Sequence, residues 1–279
     1  MIQMADKKLV EQFKKTAKEL RKDILEMTTE AGSGHPTSSL SCIDILAVLY
    51  FHEMKFNPKK PDWPERDRFL MSKGHGVPAQ YACLAKAGFF PKSELKTLRK
   101  LNSRLQGHPD REKTPGIEIS SGSLGQGLSV GNGIALAGKL DKKNYRVYVL
   151  LGDGECQEGQ VWEAAMSAAH FKLDNVCAIV DKNRLQNDSW VDKTKDLGNL
   201  SGKWRAFGWH VIEIDGHDFE QILGALEEAR KTMGKPTMIV ASTVKGKGVS
   251  FIENDPDMHG RAVKKEDLGK ALKELEKGA

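Results

Sequence analysis

The amino-acid sequence predicts an α/β protein built on a doubly wound, mostly parallel sheet with helices on both faces. From residue 145 onward, short apolar runs alternate with segments of helical periodicity, which is the order expected of strand-helix-strand units. The runs, among them "VYVLLG" at 147–152 and "NVCAIVD" at 175–181, are apolar at nearly every position. Strands buried on both faces have this pattern, whereas half-exposed strands alternate.

A single domain over residues 1–279 is expected. The length suits one large α/β domain or two small ones, with ample surface to bury. No repeat, low-complexity tract or convincing linker divides the sequence. The apolar content of 39% is that of an ordinary soluble protein.

The first third of the chain is predicted to be mainly helical. Apolar residues recur at helical spacing over 7–29, which predicts a long amphipathic helix. The break "AGSGHPTSSLS" separates it from a second helix over about 40–53. A proline-punctuated loop, "NPKKPDWPERD", leads into a short strand at "RFLMS", and two further helices are predicted over 77–87 and 92–101.

The next segment combines helical spacing with many glycines. Residues 102–120 show no period and are interpreted as a surface or active-site loop. The following "GSLGQGLSVGNGIALAGKL" predicts a helix over 123–138, although each glycine costs about 1 kcal/mol in a helix interior. Such a helix is tolerable where another backbone or a ligand approaches closely. A flexible loop is the alternative.

Regular alternation begins at residue 145 and continues almost to the C-terminus. Each apolar run predicts a buried strand, and the amphipathic segments predict the helices that connect them. A loop with a tryptophan-containing helix follows the second strand, and the last segment, "KKEDLGKALKELEKG", predicts an exposed helix. The predicted strands cover 145–151, 175–181, 210–214 and 237–243, and the predicted helices cover 158–171 and 218–232.

Composition and charge argue against several classes of protein. The net charge of +5 is modest and the basic residues are interspersed with acidic ones, so no nucleic-acid partner is expected. The four cysteines form no CxxC or Cys/His cluster, which argues against disulfides and structural zinc. The N-terminus does not resemble a signal peptide, and the longest apolar run, "IDILAVLYF", is too short to span a bilayer. We therefore expect a cytoplasmic protein with no membrane partner.

An aspartate between two glycines follows the strand at 145–151. Asp153 in "GDG" lies at the end of that strand, and Asn183 in "DKN" lies at the end of the next. Because neighbouring parallel strands end at the same edge of a sheet, one crossover would bring the two side chains together. Oxygen ligands suit Mg²⁺, and the glycines leave backbone N–H groups open to an anion. The pair predicts a magnesium diphosphate site, whereas a lone GDG would indicate only a helix cap.

The sequence around this pair resembles a known family. "GDGECQEGQVWEAAMSAAHFKLDNVCAIVDKN" is similar to the thiamine-diphosphate motif, and its "EGQVWEA" and the following "NRLQ" resemble segments of transketolases. The resemblance extends over nearly the whole chain, through GSGHPTSSLS, SKGHG, LQGHPD, SGSLGQGLSVGNGIALA, GWHVIEIDGHD and KGKGVSF. It implies the thiamine-diphosphate-binding fold, the cofactors thiamine diphosphate and Mg²⁺, and transfer of a two-carbon ketol unit from a ketose phosphate to an aldose phosphate.

The resemblance also implies which residues bind the metal and the diphosphate. Asp153 and Asn183 would bind Mg²⁺ through their side chains, and Leu185 would bind it through its carbonyl. Gly154 would donate its backbone N–H group to the diphosphate. His75 of "SKGHG" would also lie near the diphosphate.

A second segment is expected near the cofactor rings. The resemblance places Gly122, Ser123 and Leu124 of "SGSLG" there. Many family members carry proline where Ser123 stands, so this sequence departs from the family at that contact.

Histidines in loops fixed by glycine or proline are the candidates for substrate chemistry. Imidazoles donate to hydroxyls and exchange protons near neutral pH. By resemblance, His35 and His108 are assigned to substrate hydroxyls and proton transfer, and His259 contacts either the cofactor or the substrate. His170 and His217 are not site candidates and are expected to be structural. A solvated surface histidine is the alternative for each loop position.

The resemblance further implies a second chain. The sequence is similar to the first domain of the family alone, so we expect the N-terminal subunit of a split transketolase. Its partner would be a C-terminal subunit that carries the pyrimidine-binding and C-terminal domains, with two copies of each chain in a heterotetramer. Glu158 matches the acid that meets the partner's glutamate across the interface. A helix N-terminal acid favoured by the helix dipole is the alternative for Glu158, and the two are compatible.

Four alternatives to this function exist, and one of them, a regulatory remnant with a dead site, is disfavoured by the intact metal ligands. Two share the cofactor: a deoxyxylulose-phosphate synthase and the α-subunit of a 2-oxo-acid dehydrogenase. The "EGQVWEA" segment and the set of histidines argue against both. The fourth is a non-catalytic nucleotide-binding module, against which the absence of GxGxxG after a strand and of GxxxxGK[ST] argues.

Overall fold

The core of the protein is a sheet of five parallel strands. The computed structural model describes residues 7–187 and 189–277. The strands are β1 (Arg68–Met71), β2 (Val147–Gly152), β3 (Val176–Lys182), β4 (His210–Asp215) and β5 (Thr237–Ser242). They lie in the order β1-β2-β3-β5-β4, and each hydrogen-bonded pair of strands is parallel. The predicted α/β class with a parallel sheet is confirmed.

Helices cover both faces of the sheet, as predicted. They are α1 (Lys7–Ala31), α2 (Pro36–Val48), α3 (Val77–Ala87), α4 (Gly127–Leu140), α5 (Gly159–His170), α6 (Val191–Lys195), α7 (Leu200–Ala206), α8 (Phe219–Lys231) and α9 (Lys265–Lys277). Helices α1, α2, α3, α8 and α9 contribute to one hydrophobic core, and α4, α5 and α7 contribute to the other. Over the described residues, no helix combines the length and the apolar character needed to cross a membrane.

Side chains alternate between the two cores along each strand. In β2, Tyr148 and Leu150 belong to the core beneath α1 and α2, whereas Val147, Val149 and Leu151 belong to the core beneath α4 and α5. Both faces are buried, so both sets of positions are apolar. This is the physical reason for the uninterrupted apolar runs in the sequence.

The strand order brings four chain segments to one edge of the sheet. β2 and β3 are neighbours joined by α5, and Gly152 pairs with Asp181. The chain therefore leaves β2 at Asp153 and β3 at Asn183 on the same side. Because every pair is parallel, β1 and β5 also end there. Ligands of doubly wound sheets bind at this edge.

Two helix boundaries in the first third differ from the prediction. α2 begins at Pro36 rather than at residue 40, because Pro36 lies in the first turn, where its missing N–H group costs nothing. The predicted helix over 92–101 is only a 3₁₀ helix, Lys92–Thr97. It ends because Leu98 is extended and Arg99 has a φ of 61°, in the left-handed region.

The glycine-rich helix and the C-terminal helix also differ in detail. α4 forms as a helix, but it begins at Gly127 rather than at residue 123, since Gly125 has a φ of 84° that no α-helix accommodates. α9 was expected to be exposed, yet it buries Ala271 and Leu275 in the core that includes α1. The charged residues on its other face are the reason why the sequence predicts an exposed helix.

Close approach to the sheet explains one glycine of α4, and open space surrounds another. A Cβ atom on Gly131 would lie 2.7 Å from Cγ2 of Val149, whereas a Cβ atom on Gly133 would meet nothing within 4 Å in the described chain. Both substitutions to alanine gain the same helix propensity, about 1 kcal/mol. The difference between them therefore isolates the contact with the sheet.

We predict that Gly131→Ala lowers the free energy of unfolding relative to Gly133→Ala by about 1–3 kcal/mol, the usual cost of overpacking a core. Urea unfolding of the two variants and of the parent chain measures this difference. Gly133→Ala should be as stable as the parent or more stable. Equal stability of the two variants would contradict the packing assigned to α4.

Candidate active site at the carboxyl ends of the strands

A cavity of about 390 Å³ lies where the segments after β1, β2, β3 and β5 converge. A larger, more open hollow of about 870 Å³, lined in part by Thr97, Arg104 and Lys113, contains none of the predicted site residues. The residues that the sequence singled out line the smaller cavity, with one exception. They are His35, His75, His108, Gly122, Leu124, Asp153, Gly154, Glu158, Asn183, Leu185 and His259. Ser123 is exposed and does not line it.

Asp153 is a buried carboxylate in a tight turn. Its Oδ1 atom accepts the N–H of Gly154 at 2.8 Å, and its Oδ2 atom accepts the N–H of Arg184 at 2.5 Å. It thus caps the short helical turn that follows β2, as the alternative interpretation of GDG expects. Burial, together with the nearby Asp181, raises the pKa of Asp153 to about 6. A cation beside this carboxylate would relieve both effects.

Asn183 and Leu185 lie next to Asp153 on the segment that follows β3. The side-chain oxygen of Asn183 accepts the N–H of Leu185 at 3.1 Å, and its amide donates to Asp181 at 3.1 Å. Within residues 7–187 and 189–277, no group of three or more His, Cys, Asp and Glu side chains is arranged to hold a metal. The predicted ligand set is of another kind: one carboxylate, one amide oxygen and one carbonyl. These hard oxygens fit Mg²⁺, which takes its remaining ligands from phosphate and water.

A buried ion pair that the sequence analysis missed lies beneath the site. Lys73, which follows β1, is 2% exposed, and its Nζ atom lies 2.5 Å from Oδ2 of Asp181 at the end of β3. Nζ also donates to the carbonyl of Ser38 at 2.7 Å. Burial alone would raise the pKa of Asp181, but Lys73 and the hydrogen bonds from Ser41 and Thr243 outweigh it, and the pKa of Asp181 is lowered.

A second buried lysine enters the cavity from the segment after β5. Lys245 donates to the carbonyl of Leu185 at 3.1 Å and to Nδ1 of His259 at 2.6 Å. Burial and the nearby Lys73 lower the pKa of Lys245 to about 8. Two ammonium groups facing one cavity attract an anion such as a diphosphate. The sequence signal was the pair of glycines in "KGKG", which allow the lysine to approach the site closely.

The four predicted histidines form a single cluster. The ring centroid of His35 lies 5.1 Å from that of His75, 6.5 Å from that of His108 and 5.3 Å from that of His259. Burial lowers the pKa of every one of these imidazoles, to about 4 for His35 and about 3 for His259. Nearby cations contribute: Arg99 for His35 and His108, and Lys245 for His259. The imidazoles are therefore neutral at physiological pH.

Two polar atoms in the cavity wall have no partner among the described residues. Nδ1 of His35 and Oγ of Ser38 are both buried without a hydrogen bond. Both belong to the first turn of α2 or its cap, and both residues line the cavity. A buried polar atom without a partner costs about 1–3 kcal/mol, so this wall is built to contact a polar ligand.

Two glutamates near the GDG turn have opposite surroundings. Glu155 is buried and accepts hydrogen bonds from the N–H groups of Gly125 and Gly152 at 2.8 and 2.9 Å, and from the hydroxyl of Ser72. It ties the glycine-rich segment to the turn. Glu158 is exposed at the cavity rim, where it precedes α5, and its side chain makes no capping hydrogen bond. The structure thus leaves the Glu158 carboxylate open to a contact outside the described chain.

Comparison with known proteins identifies the class to which this fold and site belong. The family model "Transketolase, thiamine diphosphate binding domain" matches residues 12–276. The 6-deoxy-6-sulfo-D-fructose transketolase subunit SqwG of Clostridium sp. (strain MSTE9) is 46% identical over 92% of this chain and 94% of its own length. This chain belongs to the transketolase family and corresponds to its thiamine-diphosphate-binding domain. The predicted family, fold and cofactor class are confirmed.

Longer relatives match over less than half of their length. The transketolase of Pongo abelii is 43% identical over 97% of this chain but only 43% of its own. The crystal structure of the transketolase from Campylobacter jejuni subsp. jejuni NCTC 11168 superposes with a TM-score of 0.90 at 35% identity, over 96% of this chain and 43% of that one. The chain therefore spans less than half the length of these relatives.

Because the pKa of Asp153 is raised, we expect the free energy of unfolding to depend on pH when divalent cations are absent. The folded chain holds this proton more tightly than the unfolded chain, whose aspartates titrate near pH 3.9. The resulting stabilisation is complete below about pH 4 and is lost as the pH rises through about 6.

In EDTA, the unfolding free energy of the parent chain minus that of Asp153→Asn should therefore fall by about 3 kcal/mol between pH 4 and pH 8, because the variant does not titrate at this position. Denaturant unfolding across this pH range measures the difference. Asp141→Asn, an exposed site after α4, is the control and should show no comparable trend. A difference that does not depend on pH would contradict the buried environment of Asp153.

Proposed function

We propose that this chain is the N-terminal subunit of a two-chain transketolase. It holds Mg²⁺ and thiamine diphosphate and, together with a C-terminal subunit, transfers a two-carbon ketol unit from a ketose phosphate to an aldose phosphate. One observation carries the proposal: a single cavity combines a buried oxygen-ligand set, two buried lysines and four neutral imidazoles. The similarity to a relative named as a transketolase subunit, over 94% of its length, supports the two-chain form.

In this proposal the oxygen ligands bind the metal ion, and the lysines bind the diphosphate of the cofactor. The carboxylate of Asp153, the amide oxygen of Asn183 and the carbonyl of Leu185 would hold Mg²⁺. The N–H of Gly154 would donate to the diphosphate, and Lys73 and Lys245 would balance its charge. The carbonyl of Leu185 accepts a hydrogen bond from the Lys245 ammonium, which supports its assignment as a ligand for a cation.

The remaining wall of the cavity would contact the cofactor rings and the sugar. Gly122 and Leu124 line the cavity, so a position beside the rings is compatible with the structure, whereas Ser123 is exposed. The ring centroids of His75 and His259 lie 5.1 Å apart, and both lie within 5.3 Å of the ring centroid of His35. His259 accepts a hydrogen bond from Lys245 at Nδ1, so the neutral ring carries its proton on Nε2. Bound thiamine diphosphate supplies the carbanion chemistry of the reaction.

His35 and His108 would bind substrate hydroxyls and move protons. Their lowered pKa values keep both imidazoles neutral, so each can donate through one ring nitrogen and accept through the other. Nδ1 of His35 has no protein partner among the described residues and is therefore available to a ligand. Protonated imidazoles could not accept a proton, and their charges would repel one another and the two lysines.

The second chain would complete the site at its rim. Glu158 presents a carboxylate there, and the neighbouring face of α4 presents Gly133 and the half-exposed Val130. A glycine surrounded by open space is a place where another backbone can approach closely. We expect two copies of each chain, assembled in the cytoplasm, with the sugar-phosphate pair set largely by the second chain. The alternatives that share the cofactor, and the nucleotide-binding module, are less well supported, because the family match covers residues 12–276.

The cofactor assignment predicts a binding result for the isolated chain. Calorimetry should detect thiamine diphosphate only when Mg²⁺ is present, and should detect neither ATP nor NAD. Asp153→Ala should abolish binding and Asn183→Ala should weaken it strongly, because each removes a ligand of a hard cation. Asp141→Ala, exposed and remote from the strand ends, should bind like the parent. Unchanged affinity in the first two variants would refute the metal assignment.

The catalytic assignment predicts the behaviour of the assembled enzyme. The chain alone should show no ketol transfer in a coupled assay, even when saturated with Mg²⁺ and thiamine diphosphate, and addition of the second chain should produce turnover. In that assembly, His35→Ala and His108→Ala should bind cofactor nearly normally and lose about 10²–10⁴-fold in turnover.

His170→Ala is the matched control, because His170 is exposed at the end of α5 and does not line the cavity. It should retain the parent activity. Robust turnover without the second chain would refute the two-chain proposal. Full activity of either cavity-histidine variant would refute its catalytic role and leave the two-chain proposal standing.

A further inference from the structure

The turn that carries Lys245 into the cavity is tightly constrained. It follows β5 and contains Gly246 and Gly248, both with φ in the left-handed region, at 81° and 97°. A Cβ atom on Gly246 would lie 2.5 Å from the carbonyl oxygen of Ile252, so only glycine fits there. The position of Lys245 therefore depends on how the ends of this short turn are held.

His217 holds one end of the turn from the side away from the cavity. Its Nε2 atom accepts the N–H of Val244, the residue before Lys245, at 2.9 Å. Since Nε2 accepts, the neutral ring carries its proton on Nδ1. Nδ1 donates this proton to Oδ2 of Asp44 at 2.7 Å. The imidazole is thus fixed in orientation and in tautomer by a residue of α2.

Asp44 and Arg21 extend this contact to the other end of the turn. The guanidinium of Arg21 binds both carboxylate oxygens of Asp44, at 2.8 and 2.6 Å, and its Nε atom donates to the carbonyl of Lys247 at 3.3 Å. Burial would raise the pKa of Asp44, but Arg21 and the hydrogen bond from His217 outweigh it and hold the pKa at about 2. One charged network therefore contacts the residues on both sides of Lys245.

We propose that His217, held by Asp44 and Arg21, is a positioning residue that fixes the Lys245 ammonium in the cavity. Only the role of Lys245 as a contact for the diphosphate rests on the proposed function; the positioning itself does not. His217 does not line the cavity, so it would act through Lys245 alone. His217, which the sequence predicts to be structural, would thus have a specific positioning role.

Other contacts keep the turn folded when His217 is changed. Gly246 donates its N–H to the carbonyl of Thr37 at 3.0 Å, and Asn254 donates its N–H to the carbonyl of Lys245 at 2.9 Å. Behind the turn, another cavity, of about 660 Å³, is bordered by Arg21, Asp44 and His217. A smaller side chain at 217 therefore meets no clash, and its effect should be local.

A matched pair of substitutions separates positioning from general stability. His217→Asn places an amide N–H where Nδ1 was, so the contact with Asp44 is retained, but the acceptor for Val244 is lost. His217→Gln places an amide oxygen near the position of Nε2, so the acceptor is retained. Both remove the same ring and should lower the melting temperature to a similar degree.

The first measurements use the full chain without cofactor. Lysine acetylation with acetic anhydride, followed by mass spectrometry, gives the reactivity of Lys245. Hydrogen exchange of the peptide over 243–249 gives the protection of the Val244 N–H. Loss of one hydrogen bond should raise both rates about three- to tenfold in His217→Asn, with less than a twofold change in His217→Gln.

The second measurement tests whether His217 acts through Lys245. His217→Asn should weaken Mg²⁺-dependent binding of thiamine diphosphate about three- to tenfold in the parent chain. In a Lys245→Met background, the same change should alter binding less than twofold, because the group being positioned is absent. Equal effects of His217→Asn in the two backgrounds would overturn the proposal.

Further outcomes decide the proposal in either direction. If the two variants differ from the parent only in melting temperature, His217 stabilises the fold and does not position Lys245. If His217→Asn does not fold, Arg21→Lys, which removes the contact with the carbonyl of Lys247, must show the same rise in Lys245 reactivity, and no rise overturns the proposal. If the parent chain binds no thiamine diphosphate, the proposed function fails, while the acetylation and exchange rates still test the positioning.

Discussion

The ion pair between Lys73 and Asp181 is the interaction on which the rest of the site depends. It joins the segment after β1 to the end of β3, beneath the cavity. Asp181 also accepts hydrogen bonds from Ser41 at 2.5 Å and from Thr243, so α2 and the segment after β5 are tied to the same carboxylate. Removing one partner of such a pair leaves a buried charge uncompensated, typically at a cost of about 3–5 kcal/mol. The pair therefore fixes the relative position of the segments that form the cavity.

The electrostatics of the cavity follow from this arrangement. Lys73 and Lys245 place positive charge near the imidazoles and help to keep them neutral. Asp153 lies close to Asp181 and far from solvent, which raises its pKa. A hard cation would neutralise the carboxylate of Asp153 in one half of the cavity, and a polyanion would neutralise the lysines in the other half. This division suits a magnesium diphosphate better than it suits either ion alone.

The two glutamates next to the GDG turn differ in what they contact: one stabilises the fold, and the other is exposed at the rim of the cavity. Glu155 is buried, and its carboxylate accepts hydrogen bonds from the backbone of two glycine-containing segments. Glu158, three residues later, immediately precedes α5 at the rim and stays exposed. Neither sequence composition nor spacing distinguishes these acids. The difference arises because the short helical turn after Asp153 rotates one side chain inward and leaves the other at the surface.

The sequence by itself determined the fold class, the succession of strands and helices along the chain, and the proximity of Asp153 and Asn183. These features depend on local periodicity and on the rule that parallel strands end at one edge. The histidines at 35, 75, 108 and 259 could also be proposed, because family motifs contain them. Boundaries such as the start of α4 were missed, since the left-handed Gly125 is visible only in the folded chain.

Only the tertiary structure decided the positions and contacts of Lys73, Lys245, Asp181 and His217. A lysine in a glycine loop looks solvated in sequence, and nothing local shows that it is buried against an aspartate 108 residues away. The contact of His217 with Asp44 spans 173 residues. Charge burial is a property of the packed sheet and its helices, because it depends on which distant segments exclude water from the same place. The sequence contains these groups, but only folding makes them neighbours.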